Sequence, residues 1–286
     1  MKRNEYTLCS SKVKSDKNIA IVSDLHISEN SSETTLVEVL DTLDDIDPTH
    51  IVIPGDLYNV DMTTIAGNKV TDFVNTATEI APVYYVKGNT EDLGSILNYR
   101  ILPNGMEKGQ NERLHILCED INGEQTETFT ESDLSISGIR LPEEFYKQCE
   151  LEKLNMLFSK YQDYLEKLLK LKNGYNILLC HDPIIRDILD LMEAIKERPL
   201  GFDLIISGHN HGGMFPKNLK SLISPFYKQI SKLYPSYIKG EVPFGETGTM
   251  IISEGVTKYH SEMGVLEKLE RFHEGTIENV RIRKKD

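Results

Sequence analysis

A chain of 286 residues is long enough to bury a full core, and one α/β domain of this size is ordinary. Its 32 basic and 45 acidic residues leave a net charge of −13, which argues against a general nucleic-acid-binding surface. No apolar run approaches bilayer length, and Cys9, Cys118, Cys149 and Cys180 show neither CxxC nor framework spacing, so a reducing cytoplasm is the expected location.

In chain order, residues 1–18 are polar and charged, with no apolar signal core. They read as a short disordered lead-in to a single domain over 19–286. The apolar run 19–22 predicts a strand. Leu36, Val39, Leu40 and Leu43 make a helical stripe that closes before Asp47-Pro48. A strand at 51–53, a helix over 63–81 and a strand at 83–86 follow. This βαβαβ order predicts parallel strands with right-handed crossovers. Strands at 114–117 and 134–139 flank a polar loop, 119–133. Leu154, Leu157, Phe158, Tyr161, Leu165 and Leu168 then predict a long amphipathic helix packed on the core. Strands at 177–180, 203–206, 249–253 and 276–282 complete the count, with a helix near 184–198. The expectation is one domain of two packed sheets with helices outside.

Five of these strands each run into a polar motif. Asp24-Leu25-His26 follows 19–22, Gly55-Asp56 follows 51–53, and Gly88-Asn89-Thr90-Glu91 follows 83–86. His181-Asp182-Pro183 follows 177–180, and Gly208-His209-Asn210-His211 follows 203–206. Side chains placed repeatedly at the carboxyl ends of strands are what an active site in an α/β sheet looks like. Asp24 and His26 lie two apart on a segment read as extended, so both can meet one cation. His209 and His211 share that spacing. Gly55 and Gly208 allow close backbone approach. Mixed Asp, Asn and His donors suit Mn²⁺, Fe or Zn²⁺ better than Ca²⁺ or a thiolate-preferring metal. A lone D-x-H or G-D pair is more often a turn or a cap; the ordered set carries the signal. His50, His115, His260 and His273 match no motif and read as structural, and Cys118 and Cys180 read as buried thiols.

The order D-x-H, G-D, G-N-x-E, H-x-P, G-H-x-H, spanning Asp24 to His211, resembles the calcineurin-like metallophosphoesterase superfamily. The stretch Gly208–Gly213 with Tyr234–Gly240 is similar to its YkuE-like bacterial branch. The resemblance implies a four-layer αββα sandwich of two mixed β-sheets flanked by helices. It implies two divalent ions, with Mn²⁺ favoured and Fe or Zn²⁺ as alternatives. Asp24, His26 and His211 resemble the ligands of one ion, Asn89, His181 and His209 those of the other, and Asp56 the carboxylate shared between them. Asp56, Asn89 and His209 then form the catalytic set, around a metal-bridging hydroxide that attacks phosphorus. The implied activity is phosphate-ester hydrolysis, with a diester or pyrophosphate-type bond favoured over phosphoproteins. A nuclease, a lipid-linked phosphoesterase and a non-enzymatic metal-binding scaffold are the competing readings.

Two features depart from that pattern. Many relatives carry His where this chain has Thr90, and a threonine hydroxyl is no general acid at neutral pH. Thr90 is instead a candidate for substrate contact, and Glu91 for orienting its loop. Second, 204–240 contains no Asp or Glu but holds Lys217, Lys220, Lys228, Lys232 and Lys239. Leu219, Leu222, Ile223, Phe226, Tyr227, Ile230, Leu233 and Tyr234 make an apolar stripe there. It is either core packing or an apolar, basic lip. In the second case Lys217 and Lys220 meet a small-molecule or lipid-like phosphoester, and 214–240 makes a peripheral contact with the inner membrane face.

Overall fold

The computed structural model describes residues 1–59, 63–91, 111–118, 128–141, 174–196, 200–212, 238–257 and 275–285. Its strands are β1 (Lys2–Ser10), β2 (Lys17–Ile21), β3 (His50–Pro54), β4 (Val83–Val86), β5 (Leu114–Cys118) and β6 (Thr128–Glu131). They continue with β7 (Leu134–Ile139), β8 (Tyr175–Cys180), β9 (Leu204–Ser207), β10 (Gly240–Phe244), β11 (Gly248–Ile252) and β12 (Thr276–Lys284). The helices among the described residues are α1 (Glu33–Ile46), α2 (Thr64–Ile80) and α3 (Ile185–Lys196).

Two mixed six-stranded sheets form, in the orders β1-β12-β2-β3-β4-β5 and β10-β11-β9-β8-β7-β6. The β2-α1-β3-α2-β4 run is parallel, as its alternating pattern predicts. Side-chain alternation explains the layers. Ile19, Ile21, Val52, Tyr84 and Val86 meet Leu134, Ile136, Ile177, Leu179, Leu204 and Ile206 between the sheets. Their neighbours Ala20, Ile51, Ile53, Val83 and Tyr85 face the other way, onto Leu36, Val39 and Leu43 of α1 and Val70, Phe73 and Val74 of α2. On the far side, Leu178, Cys180, Ile205, Met250 and Ile252 pack on Ile185, Ile188 and Leu189 of α3. The result is an αββα sandwich. Strands buried on both faces have no polar side, which is why they appear in the sequence as unbroken apolar runs. No helix among the described residues is long and apolar enough to cross a membrane.

Two expectations are corrected here, and one strand is added. Residues 2–10 are not a disordered lead-in: they form β1, paired in parallel with β12 from Lys2 opposite Thr276 to Ser10 opposite Lys284. Tyr6 and Leu8 supply the reason, since they pack on the inter-sheet core while their neighbours stay polar. The end of the expected 119–133 loop is β6, antiparallel to β7, where Thr128, Phe129 and Thr130 favour a pleated surface. Strand β10, closing the second sheet beside β11, was not anticipated. The helix expected over 154–168 and the whole stripe at 219–234 lie outside the described residues.

One buried carboxyl gives the fold a pH dependence. Glu278 of β12 accepts from the Ser253 hydroxyl at 2.6 Å and the Glu254 amide at 2.8 Å, with no cation against it among the described residues. Burial chiefly, with help from the Glu254 carboxylate, pushes it up to about 7 from 4.5. The folded state therefore keeps a proton that the unfolded chain releases, so this group's contribution is full below about pH 4.5 and is lost as pH rises to about 7. In Glu278→Gln the amide oxygen can keep the Glu254 bond while its NH₂ donates to Ser253. The variant should gain roughly 2–3 kcal/mol on the wild type between pH 5 and pH 8 in denaturant unfolding. Parallel pH profiles would contradict this.

Candidate metal centre

The loops after β2 and β3 are zipped together. The Asp24 amide donates to the Gly55 carbonyl at 3.2 Å, His26 to Asp56 at 2.9 Å and Ile27 to Leu57 at 2.9 Å. Gly55, with φ at +100°, lies against the His181 ring, and a side chain there would overlap it. Asp24 and His26 are not extended: their φ values are 56° and 47°, and Asp56, His209 and His211 also adopt left-handed backbone, at 52°, 71° and 44°. Such conformations cost about 1–3 kcal/mol each in non-glycine residues. Here they fall on five of the motif side chains and turn them towards one another.

Two clusters result. Asp24, His26 and His211 bring one potential ligand atom each to within 4.8 Å of one another, and so do Asp56, His181 and His209. Asn89 joins the second cluster, its Oδ1 3.0 Å from His181 Nε2. Asp56 Oδ2 faces both, at 3.2 Å from His181 Nε2 and 3.6 Å from His26 Nε2. Asp24, Asp56 and His181 are buried, while the His209 side chain is 32% exposed and marks the open side.

The ring nitrogens show what the clusters can hold. His26 Nδ1 donates to Asn59 Oδ1 at 2.9 Å, His181 Nδ1 to the Pro54 carbonyl at 2.8 Å, and His211 Nδ1 to the Thr257 carbonyl at 3.0 Å. With Nδ1 protonated, each neutral ring aims an Nε2 lone pair inward. Yet His26 and His211 Nε2 are 3.2 Å apart, and His181 Nε2 is 3.1 Å from His209 Nδ1. His26 and His211 thus meet acceptor to acceptor, and in the second cluster His181 and His209 meet beside the Asp56 carboxylate, so the donors of each cluster fit a divalent ion.

Electrostatics agree. Burial lowers the His181 pKa, but Asp56, then Asp24 and the Pro54 carbonyl, outweigh it and hold the imidazole well above its ordinary value. Burial likewise works against the Asp56 carboxylate, but His181 and His26 hold it below the usual range. A proton on His181 thus serves as the counter-charge that a metal ion would supply. Burial holds His26 and His209 low, in the neutral form that binds metal.

Glu91 fastens the two loops, as expected. Its Oε1 accepts from the amides of Leu57 at 2.6 Å and Tyr58 at 3.3 Å; its Oε2 accepts from Asp56 at 3.2 Å and from Gly88. Thr90 differs from expectation: its hydroxyl points back to Asp56 Oδ1 and the Tyr58 carbonyl, 2.9 Å from each, and not outward to a substrate. Lys217 and Lys220 lie outside the described residues. Lys239, at the end of the basic stretch, is paired with Glu254 at 2.6 Å. Asn59 and Thr257 were missed. Asn59 looks like any turn residue, and Thr257 acts on His211 through its backbone carbonyl, which residue type cannot signal.

Sandwich and paired clusters together define a metallophosphoesterase scaffold. The chain belongs to the calcineurin-like phosphoesterase family, whose sequence profile matches residues 17–213. It is 25% identical over 251 residues to an uncharacterized metallophosphoesterase of Campylobacter jejuni, covering 85% of this chain. The chain spans about half that relative's length, 54%. Among solved structures, it is similar to a dimetal phosphatase of Danio rerio (TM-score 0.44, 10% identity, 84% of this chain and 87% of that one). It is also similar to TT1561 of Thermus thermophilus (TM-score 0.45, 12% identity, 84% and 89%).

Proposed function

We propose that the chain is a dimetal-dependent phosphoester hydrolase, with a diester or pyrophosphate-type bond as its preferred target. Asp24, His26 and His211 would hold one ion, Asn89, His181 and His209 the other, and Asp56 both. The observation that carries this reading is the convergence of potential ligand atoms in two clusters that face one shared carboxylate oxygen. Two bound divalent ions supply Lewis acidity, making water a nucleophile near neutral pH and offsetting charge on the phosphoryl oxygens. Histidine donors combined with carboxylates and the Asn89 amide suit Mn²⁺, Fe or Zn²⁺, and we take Mn²⁺ from the family resemblance.

The chain's own residues do the positioning. Asn59, Pro54 and Thr257 lock three imidazoles in the tautomer that presents Nε2. Glu91 holds the loops that carry Asp56 and Asn89. Thr90, turned inward, offers no proton to a leaving oxygen, which supports bonds whose leaving group departs without one. The test is hydrolysis by the Mn²⁺-loaded protein of bis-p-nitrophenyl phosphate, an organic pyrophosphate and p-nitrophenyl phosphate. The first or second should be turned over faster than the third. A faster monoester would overturn the bond preference, and no turnover of any would overturn the hydrolase.

A further inference from the structure

We propose that Thr90 is a positioning residue that clamps Asp56 by one oxygen, so that the other alone serves both clusters. The inference rests on the dimetal reading above and adds a residue to it. The Thr90 amide lies 3.0 Å and its hydroxyl 2.9 Å from the same atom, Asp56 Oδ1. Oδ2 is left facing His181 Nε2 at 3.2 Å and His26 Nε2 at 3.6 Å.

The chemistry needs such a clamp. The terminal torsion of an aspartate is broad, so the carboxylate plane is not fixed by rotamer preference. Unclamped, Asp56 could turn and offer one oxygen to each cluster, or both to one. Two donors on Oδ1 engage its lone pairs and remove that freedom. Gly88 lies beside the same oxygen, where any side chain would overlap Asp56 Oδ1 and its amide. The Tyr58 carbonyl is also 2.9 Å from the Thr90 hydroxyl, so the one hydroxyl proton is shared between it and Asp56 Oδ1, while the Thr90 amide donates to Oδ1. Thr90 therefore acts through Asp56 and does not touch the reacting atoms.

The test compares the wild type with Thr90→Val, Thr90→Ser and Thr90→Ala, each stripped of metal and titrated with Mn²⁺ by calorimetry. The spin-coupled signal of the loaded protein is then read by electron paramagnetic resonance. Val keeps the shape and the amide but loses the hydroxyl, so the second Mn²⁺ should bind about 10-fold more weakly, at the low end for a supporting partner. Its spin-coupled signal, which reports a shared ligand, should weaken. Ser should recover both properties. Ala should match Val, and it replaces Val if Val's melting profile shows misfolding. Wild-type affinity and coupling in the hydroxyl-free variant, or a Ser variant as impaired as it, would overturn the inference while leaving the dimetal reading intact. A wild type that binds fewer than two Mn²⁺ would overturn both.

Discussion

Asp56→Asn is expected to abolish metal-dependent hydrolysis and to prevent the two clusters from being filled together. The donors on Oδ1 dictate how the variant sits. The Thr90 amide and hydroxyl both point at that atom, so the asparagine oxygen takes its place. The NH₂ then falls where Oδ2 faces His181 and His26. An acceptor shared by both clusters becomes a donor aimed at two imidazole nitrogens, and a negative charge is lost. Removing a residue that merely supports a ligand typically costs about 10–100-fold in metal affinity or activity. Loss of the shared carboxylate should cost more than about 100-fold in Mn²⁺-supported rate. Calorimetry should show at most one ion bound. Retained turnover with a far-ultraviolet dichroism spectrum like the wild type's would contradict the role given to Asp56.

The second large effect is on stability. Glu91→Gln changes no volume, yet both carboxylate oxygens already accept two amides each. Whichever way the glutamine amide turns, its NH₂ confronts two buried N–H donors. Each buried donor left unsatisfied costs about 1–3 kcal/mol, so a loss of roughly 3–5 kcal/mol is expected. For a chain of this size that lowers the melting temperature by about 10 °C. Activity should fall as well, because the amides released belong to the loops carrying Asp56 and Asn89. Thermal unfolding of the metal-free variant is the check; a melting temperature within about 2 °C of the wild type would mean that Glu91 does not fasten these loops.

Much of this was legible in the sequence because the informative units are local. Buried parallel strands such as Ile51 to Ile53 read as apolar runs, and each ligand motif begins where such a run ends, so strand and site announce each other. The corrections share a different cause. Strand β1 is held to β12, from the far end of the chain, by Tyr6 and Leu8, a two-residue alternation too brief to stand out among charged neighbours. The left-handed backbone at Asp24 and His26 leaves no mark on residue type, because it is imposed by pairing with the Gly55–Leu57 loop. The inward turn of Thr90 is likewise a matter of which partner lies nearest. Asn59 supports a ligand from a position that an ordinary turn could equally occupy. Motif reading therefore found the side chains that converge on the clusters but not those that orient them.

The most direct test of the central claim is a titration of the metal-stripped protein with Mn²⁺ while turnover of bis-p-nitrophenyl phosphate is followed. Two clusters sharing Asp56 predict that turnover rises as the second equivalent binds and saturates at two ions per chain. Turnover that needs no metal, or two bound ions with no turnover, would contradict it.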